Sequence, residues 1–213
     1  MRRWLALGLV GLALAVGIPT TWWATRPGPA GMPVDAAPGP VPATAAAVPS
    51  TRPARAAVTV RADRPNERLS LRVPSLGIVA PIVPVGVRPD GTMDIPEPVR
   101  EVGWYKFGPA PGTPVGSAVL AGHVDSARQG RGALFDLRTV AVGARIDVTS
   151  AAGRTIHYRV TGRQRFVKQR LPTERLFTRD GAARLVIITC GGPFIEKLSS
   201  YRDNLVVAAS PLS

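Results

Sequence analysis

The fold of this chain is decided by the stretch LVIITCGGP, residues 185–193. Its first five residues are apolar or β-branched, which predicts a short core strand buried on both faces. Two glycines and a proline follow, and these residues end a strand in an open loop. Cys190 therefore lies where a rigid strand gives way to flexible backbone, with room for a substrate to approach closely.

Other short β-type segments lie on both sides of this stretch. They are Leu69–Val73, Ile78–Val87, Gly116–Ala121, Arg145–Thr149 paired in a hairpin with Thr155–Val160, and Leu205–Ala209. Two prolines interrupt the second segment, which predicts an edge or irregular strand. Helical signals are confined to single turns near Leu134–Leu137 and Thr173–Phe177. Seven or eight short strands without long helices predict an all-β domain, a closed or nearly closed β-barrel with short helices.

The first 25 residues have the features of a membrane anchor. Two arginines precede Trp4–Thr25, which is 22 residues long and carries no charge, and about 20 apolar residues span a bilayer as a helix. Trp22 and Trp23 lie where an interfacial aromatic belt is expected, with the N-terminus inside and the bulk of the chain outside. A cleaved signal peptide is the alternative, although no small-x-small cleavage site directly follows the apolar run.

Residues 26–65 are predicted to form a linker between this segment and a folded domain over residues 66–213. The linker contains nine prolines and long alanine runs but no apolar periodicity, so it cannot bury enough surface to fold alone. In polyproline geometry, at about 3.1 Å per residue, it would reach roughly 120 Å. We expect a stalk that holds the domain away from the membrane.

The net charge of +13, from 27 Lys and Arg against 14 Asp and Glu, does not by itself identify a partner. From Asn66 onward 20 basic and 12 acidic residues remain, dispersed along the chain. A nucleic-acid groove is typically built from clustered basic residues interleaved with aromatics. We therefore expect no nucleic-acid partner.

Cys190 is the single cysteine, so an intramolecular disulfide is excluded. It is either a buried structural thiol or a nucleophile, and a nucleophilic thiol needs a partner such as histidine. His157 alternates with apolar neighbours and belongs to the solvated face of a strand. His123 follows an apolar strand and a glycine, which makes it the better candidate. Asp125 is either an orienting carboxylate for His123 or the cap of a turn.

Arg202 is the candidate for stabilising negative charge on an attacked carbonyl. It lies twelve residues after Cys190 and just before the strand Leu205–Ala209. If these two strands are adjacent, the cysteine and the arginine come to the same end of the sheet.

Three short motifs together resemble the sortases, over roughly Leu69 to Ser213. Sortases carry a strand ending in Thr-Leu-x-Thr-Cys, and VIITC, residues 186–190, stands in its place with the Thr-Cys pair kept. The family's histidine follows a buried strand, as in AGHVD, residues 121–125, and its arginine opens the last strand, as in YRDNLVV, residues 201–207. The style of these motifs resembles class E or F sortases of high-GC Gram-positive bacteria.

This resemblance implies a transpeptidase anchored in the cell membrane by a single span, with its catalytic domain outside. Cys190 would attack a carbonyl in an LPxTG-like C-terminal sorting signal of a secreted protein and form a thioacyl enzyme. His123 would transfer protons and Arg202 would steady the substrate or oxyanion. The acceptor would be an amine of a peptidoglycan precursor or a pilin lysine. No cofactor and no metal are expected, since no clustered carboxylates suggest a calcium site.

Three alternatives stay open. A cysteine endopeptidase would use the same site and hydrolyse the thioacyl intermediate. A cysteine L,D-transpeptidase would show a Ser-x-Gly-Cys context, which the sequence around Cys190 lacks. A stalked, non-catalytic surface binding module would use the loops of the barrel for recognition. Under the enzymatic hypotheses, residues 163–184 are expected to shape the peptide groove.

Overall fold

The computed structural model describes residues 30–34 and 68–212 of the chain. The predicted anchor over residues 1–25 and most of the predicted linker lie outside these residues. Within the described residues, no helix has both the length and the apolar character that crossing a membrane requires.

Strands account for most of the described residues. They are β1 (Ala30–Gly31), β2 (Leu69–Val73), β3 (Ile78–Val85), β4 (Val102–Tyr105), β5 (Ser117–Gly122), β6 (Asp125–Ser126), β7 (Gly130–Arg131), β8 (Arg145–Ser150), β9 (Thr155–Val167), β10 (Arg184–Ile195) and β11 (Ser200–Pro211). The helical elements are the 3-10 turns Pro74–Leu76, Phe135–Thr139, Lys168–Arg170 and Glu196–Leu198, and the single-turn helix α1 (Thr173–Leu176). The two predicted helical turns thus correspond to short helical elements.

Eight of these strands close into a barrel. Its order is β9-β11-β10-β5-β4-β3-β2-β8, and β8 pairs back onto β9 to complete the circle. The pairing of β5 with β10 and that of β3 with β4 are parallel, whereas the other pairings in the circle are antiparallel. The prediction of an all-β barrel with short helices is confirmed.

The central strand β10 is buried on both faces, as its apolar sequence predicts. Leu185 and Ile187 point into the barrel interior, where the main hydrophobic core lies. Val186 and Ile188 point to the outside and join a second hydrophobic cluster that also includes Ala121 of β5. A strand with apolar neighbours on both faces loses its alternating pattern, which explains the continuous apolar run.

The prolines of β3 predicted an edge or an irregular strand, and the structure shows the irregular one. Its first part pairs with β2 through Ile78–Ile82, and its last part pairs with β4 through Ile82–Val85. Each part is therefore hydrogen-bonded on one side only, so a residue without an N–H donor is tolerated at Pro81 and Pro84. The strand lies inside the closed circle and changes partner halfway along its length.

The segment Ala30–Val34 lies within the predicted linker, yet it packs on the barrel. β1 pairs with β9, and the Met32 amide donates to the Thr161 carbonyl at 2.9 Å. Val34 is 1 % exposed and belongs to the outer hydrophobic cluster. Its carbonyl accepts a hydrogen bond of 3.2 Å from the buried guanidinium of Arg184. These five residues are thus an integral part of the folded domain.

Candidate active site

The ends of two neighbouring parallel strands define the candidate site. In the register of β5 and β10, Gly122 is the partner of Thr189, so His123 and Cys190 are the next residues of the two strands. Neighbouring strands lie about 4.8 Å apart. The buried Thr189 hydroxyl donates a hydrogen bond of 2.8 Å to the Gly122 carbonyl and ties the two ends together. The Thr of the Thr-Cys pair thereby fixes the strand that presents the cysteine against the strand that presents the histidine.

Cys190 is half-buried and lies at a cavity of about 230 Å³. The cavity walls come from the end of β10, from β9 and β11, and from the loop and 3-10 turn that follow β5. The lining residues are Val124, Leu134, Phe135, Arg138, Arg165, Thr189, Cys190, Gly191, Gly192, Tyr201 and Leu205. The thiol is thus accessible to a small molecule, and it is not enclosed in the barrel core.

The His123 ring is hydrogen-bonded through Nε2 to the Pro96 carbonyl at 3.0 Å. Because a carbonyl oxygen only accepts, Nε2 carries the proton, and Nδ1 of a neutral ring is left as the nitrogen that can accept one. The backbone beside the ring is also held, since a Cβ on Gly132 would lie 2.3 Å from the His123 carbonyl oxygen. The half-buried His123 ring is therefore held in place with its Nδ1 atom available to accept a proton.

Asp125 bonds a partner that the sequence did not suggest. The Tyr201 hydroxyl donates to Asp125 Oδ2 at 2.5 Å and joins the loop after His123 to the start of β11. Burial, the hydrogen bond to Asp125 and the nearby negative charges of Asp125 and Cys190 raise the pKa of Tyr201 to about 12. The phenol therefore stays protonated and remains a donor at neutral pH. The carboxylate predicted to orient His123 or to cap a turn instead accepts this hydrogen bond.

Arg202 lies near Cys190 along the sheet, but its guanidinium is engaged elsewhere. Cys190 pairs with Asn204 of β11, and Arg202 is two residues away on the same face, opposite an irregularity between Gly191 and Phe194. Such diagonal neighbours are within reach of long side chains. The guanidinium forms two hydrogen bonds, of 2.7 and 2.9 Å, with the carboxylate of the buried Asp203. The three predicted residues thus share one end of the barrel, and Arg202 is held by an acid at the edge of the site.

Two arginines that the sequence did not single out line the cavity. Arg165 extends from the part of β9 that continues beyond the predicted strand, in register with Leu205. The Arg138 guanidinium stacks on the Phe135 ring with 4.3 Å between its Cζ atom and the ring centroid. A polar run such as that around Arg165 gives no strand signal, so only the backbone pairing of β9 with β11 reveals its position.

A hydrophobic surface lies on the outer face of the barrel and extends along β10 toward Cys190. Cys190 follows Val186 and Ile188 with the two-residue period of a strand, and these residues belong to the outer hydrophobic cluster. The partly buried hydrophobic side chains packed against this cluster are Met93, Ile95, Tyr105, Phe166, Leu171 and Phe177. We call this surface the outer apolar surface. The region of residues 163–184 contributes three of these side chains.

His157 belongs to a separate polar group on β8 and β9. Its Nδ1 lies 2.7 Å from Oδ1 of Asp147, and Arg145 donates to the same oxygen at 2.6 Å. Burial raises the pKa of Asp147, but hydrogen bonds from Arg145 and His157 outweigh it and hold the pKa below its usual value. This pairing explains the partly solvated position of His157 without a catalytic role.

The described residues contain no group of three or more His, Cys, Asp or Glu side chains placed to hold a metal ion. This end of the barrel carries a thiol, an imidazole, a phenol and guanidinium groups, from Cys190, His123, Tyr201 and the nearby arginines. This set is suited to nucleophilic attack on a carbonyl, with proton transfer and stabilisation of an oxyanion.

Comparisons with known proteins identify the family of this chain and its fold. The family model described as Sortase domain matches residues 71–212. A lid mutant of sortase A from Corynebacterium diphtheriae superposes with a TM-score of 0.54 at 19% identity, over 68% of this chain and 70% of that one. Sortase C-1 from Actinomyces oris gives 0.53 at 21% identity over 68% and 73%. Sortase C1 from Streptococcus agalactiae, in complex with MTSET, gives 0.52 at 21% identity over 68% and 67%.

No curated protein matches the chain. At these identities the solved structures establish a shared fold, and the family model covers well over half of the chain. On the family match, the barrel and the cysteine at its open end, the chain belongs to the sortase family of cysteine transpeptidases.

Proposed function

We propose that this protein cleaves a C-terminal, LPxTG-like sorting signal through a Cys190 thioacyl intermediate and transfers the acyl part to a cell-wall amine. One observation carries the proposal. The parallel register of β5 and β10, closed by the hydrogen bond from Thr189 to the Gly122 carbonyl, brings a histidine and a cysteine to adjacent strand ends beside a cavity.

Acylation begins with attack of the Cys190 sulfur on a backbone carbonyl of the sorting signal. The thiol proton passes to His123 as the C–S bond forms, and His123 gives this proton to the leaving amine as the peptide C–N bond breaks. The histidine then accepts a proton from the incoming amine. Its free Nδ1 in the neutral ring supports this second role.

Arg202 is proposed to stabilise the oxyanion or to steady the substrate. Its place on the same face as Cys190 supports this role. Because the guanidinium is bonded to Asp203, the role requires an N–H donor that this bond leaves over. Because a guanidinium has five N–H donors, Arg202 can keep a bond to Asp203 while it presents another donor to a substrate carbonyl.

The acyl part of the sorting signal is proposed to bind on the outer apolar surface. A Leu-Pro segment is apolar and extended, so it matches the apolar side chains around Ile188 and Phe166. Burial of each large side chain would contribute about 1.5–3 kcal/mol. This arrangement directs the scissile carbonyl toward Cys190 along the strand.

The acceptor is proposed to be a peptidoglycan-precursor amine or a pilin lysine, and the donors secreted proteins bearing a sorting signal. We further propose that residues 1–25 anchor the protein in the cell membrane and that the domain over residues 66–213 works outside it. The docking of Ala30–Val34 on the barrel is compatible with such a tether. We propose membership of class E or F because the residues around His123 and Cys190 resemble the motifs of those classes.

The experiment combines the protein with a small panel of fluorescent sorting peptides, with and without an added amine. We expect an amide-linked product with the wild type and none with Cys190→Ala, as resolved by mass spectrometry. Products cleaved by water alone, whatever the amine concentration, would favour the cysteine endopeptidase. An absence of any Cys190-dependent product across the panel would favour a non-catalytic binding module.

A further inference from the structure

We propose that the cavity beside Cys190 is a carboxylate-binding subsite in which Arg165 and Arg138 hold the carboxylate of the acceptor amine. This inference rests on the proposed transpeptidase function and names the chemical class of its second substrate. The class is an amino acid, or a peptide end, that carries a free carboxylate close to its reacting amine.

The charge of the cavity wall is the first observation. Arg138 and Arg165 are the charged residues among its lining, and none of the lining residues is an Asp or a Glu. The nearest acids are bonded at the edge, Asp125 to the Tyr201 hydroxyl and Asp203 to the Arg202 guanidinium. The cavity is therefore positive where it opens beside the sulfur.

Arg165 lies next to the nucleophile and has no hydrogen bond or ion pair among the described residues. Its Cδ lies 4.0 Å from the position that a Cβ on Gly191 would occupy, which places the side chain beside the residue that follows Cys190. The neighbouring Arg163, two residues along the same strand, has its pKa lowered by burial and by the charge of Arg165. A half-buried guanidinium in such a place is suited to a bidentate carboxylate.

Arg138 is held in place for the same ligand. Its side chain lies against the Phe135 ring, and Nη1 donates to the Phe135 carbonyl at 2.7 Å. Its other N–H donors are available at the cavity, which Arg138 lines together with Arg165. Two guanidinium groups from different elements thus converge on one small space.

The size and place of the cavity favour the acceptor as the occupant. The outer apolar surface carries hydrophobic side chains, so the acyl part of the donor fits there and not among arginines. The volume of about 230 Å³ is below the roughly 300–1,000 Å³ of pockets for drug-sized ligands. It accommodates a group of amino-acid size.

The subsite would act in the second half of the reaction. With its carboxylate held by Arg165, the acceptor presents a neutral amine whose lone pair attacks the thioacyl carbonyl. The new C–N bond forms, the C–S bond breaks, the electron pair returns to the Cys190 sulfur, and the proton lost by the amine goes to His123. Orientation of the amine accelerates this step relative to hydrolysis.

The test compares glycylglycine with glycylglycinamide, which differ in their terminal carboxylate. With a fluorescent sorting peptide as donor, the ratio of amide product to hydrolysed product is measured at several acceptor concentrations. For the wild type we expect a preference of about tenfold for glycylglycine, the size of one charge-assisted contact. Arg165→Gln should reduce the preference to less than twofold, and Arg165→Lys should keep part of it.

Arg159→Gln is the matched control, because Arg159 is an exposed arginine of the same strand whose partner is the Gly143 carbonyl. It should keep the full preference. A melting temperature of Arg165→Gln equal to that of the wild type, together with alkylation of its Cys190 by a small thiol reagent, would show that this variant folds with an accessible nucleophile. If the wild type forms the thioacyl enzyme but uses the two acceptors equally, the carboxylate subsite is wrong and the proposed function stands. If the wild type forms no thioacyl enzyme, the proposed function is wrong as well.

A second arm distinguishes the other source of a carboxylate, an acidic residue of the donor on the leaving side of the scissile bond. Two sorting peptides, with Asp or Asn at the second position after the cleaved bond, are compared in the absence of acceptor. Equal cleavage rates support the acceptor as the occupant. Faster cleavage of the Asp peptide that is lost in Arg165→Gln would assign the subsite to the donor and overturn the proposal.

Discussion

Replacement of Thr189 by Val tests how the cysteine is fixed to the strand that carries the histidine. The two side chains have nearly the same shape, so the change removes a hydroxyl and creates little empty space. Thr189 is 3 % exposed, and its hydroxyl donates to the Gly122 carbonyl at 2.8 Å. The substitution therefore leaves a buried carbonyl with one partner fewer.

A lost buried hydrogen bond lowers the free energy of unfolding by about 1–2 kcal/mol. For a domain of this size, each kcal/mol shifts the melting temperature by about 2–4 °C. We therefore expect Thr189→Val to melt roughly 2–8 °C below the wild type. We also expect slower thioacyl formation, because His123 and Cys190 follow the two tied residues directly.

The assay pairs differential scanning calorimetry with single-turnover acylation by a fluorescent sorting peptide. Thr161→Val is the control, since its hydroxyl donates to the Ala208 carbonyl at 3.2 Å between β9 and β11. It should lower stability without slowing acylation once the protein is folded at the assay temperature. A Thr189→Val protein with wild-type melting temperature and wild-type acylation rate would refute the reasoning.

Three further changes test other parts of the structure. A side chain at Gly162 would place its Cβ 2.0 Å from the Met32 carbonyl oxygen, so Gly162→Val should displace Ala30–Val34 and speed hydrogen exchange at the Met32 amide. The free energy of unfolding should fall by about 1–3 kcal/mol, because Arg184 loses a carbonyl partner. Unchanged exchange at the Met32 amide would contradict the docking of Ala30–Val34. Burial raises the pKa of Tyr158 to about 12 from an ordinary 10.0, so the folded state holds this proton more tightly than the unfolded state does. The free energy of unfolding should therefore fall by about 1 kcal/mol between pH 9 and pH 11, and it should fall less in Tyr158→Phe. Urea unfolding at the two pH values measures both declines, and equal declines in the two proteins would argue against this reasoning. Tyr201→Phe removes the donor to Asp125, so it should slow acylation and lower the free energy of unfolding by about 1 kcal/mol. Single-turnover kinetics and calorimetry measure these two effects. Acylation at the wild-type rate would exclude a role of Tyr201 in positioning the loop after His123.

The strands of the barrel were predictable where a short apolar run alone determines the structure. The run Leu185–Thr189 predicts β10 because burial on both faces leaves no polar positions. Strand β4 was missed because its four residues, Val102–Tyr105, include a glycine and are too short for a period. The outer half of β9 was missed because the polar side chains around Arg165 hide a strand that backbone pairing with β11 maintains.

The site was predictable only as far as strand ends determine it. Cys190 and His123 were identified because each follows a buried run, and parallel pairing brings such ends together. The partners of Asp125 and Arg202 depend on the register of β11 and on its irregularity beside Gly191, which residue types along one strand do not encode. The two cavity arginines were hidden among 27 basic residues for the same reason.

The most direct measurement of the central claim is the intact mass of the enzyme, acid-quenched during turnover of a sorting peptide without added amine. We expect a wild-type species heavier by the acyl fragment of the peptide, attached at Cys190, which disappears when an amine is added. Cys190→Ala should show no such species and no product. Wild-type turnover without any covalent species, or product from Cys190→Ala at the wild-type rate, would contradict it.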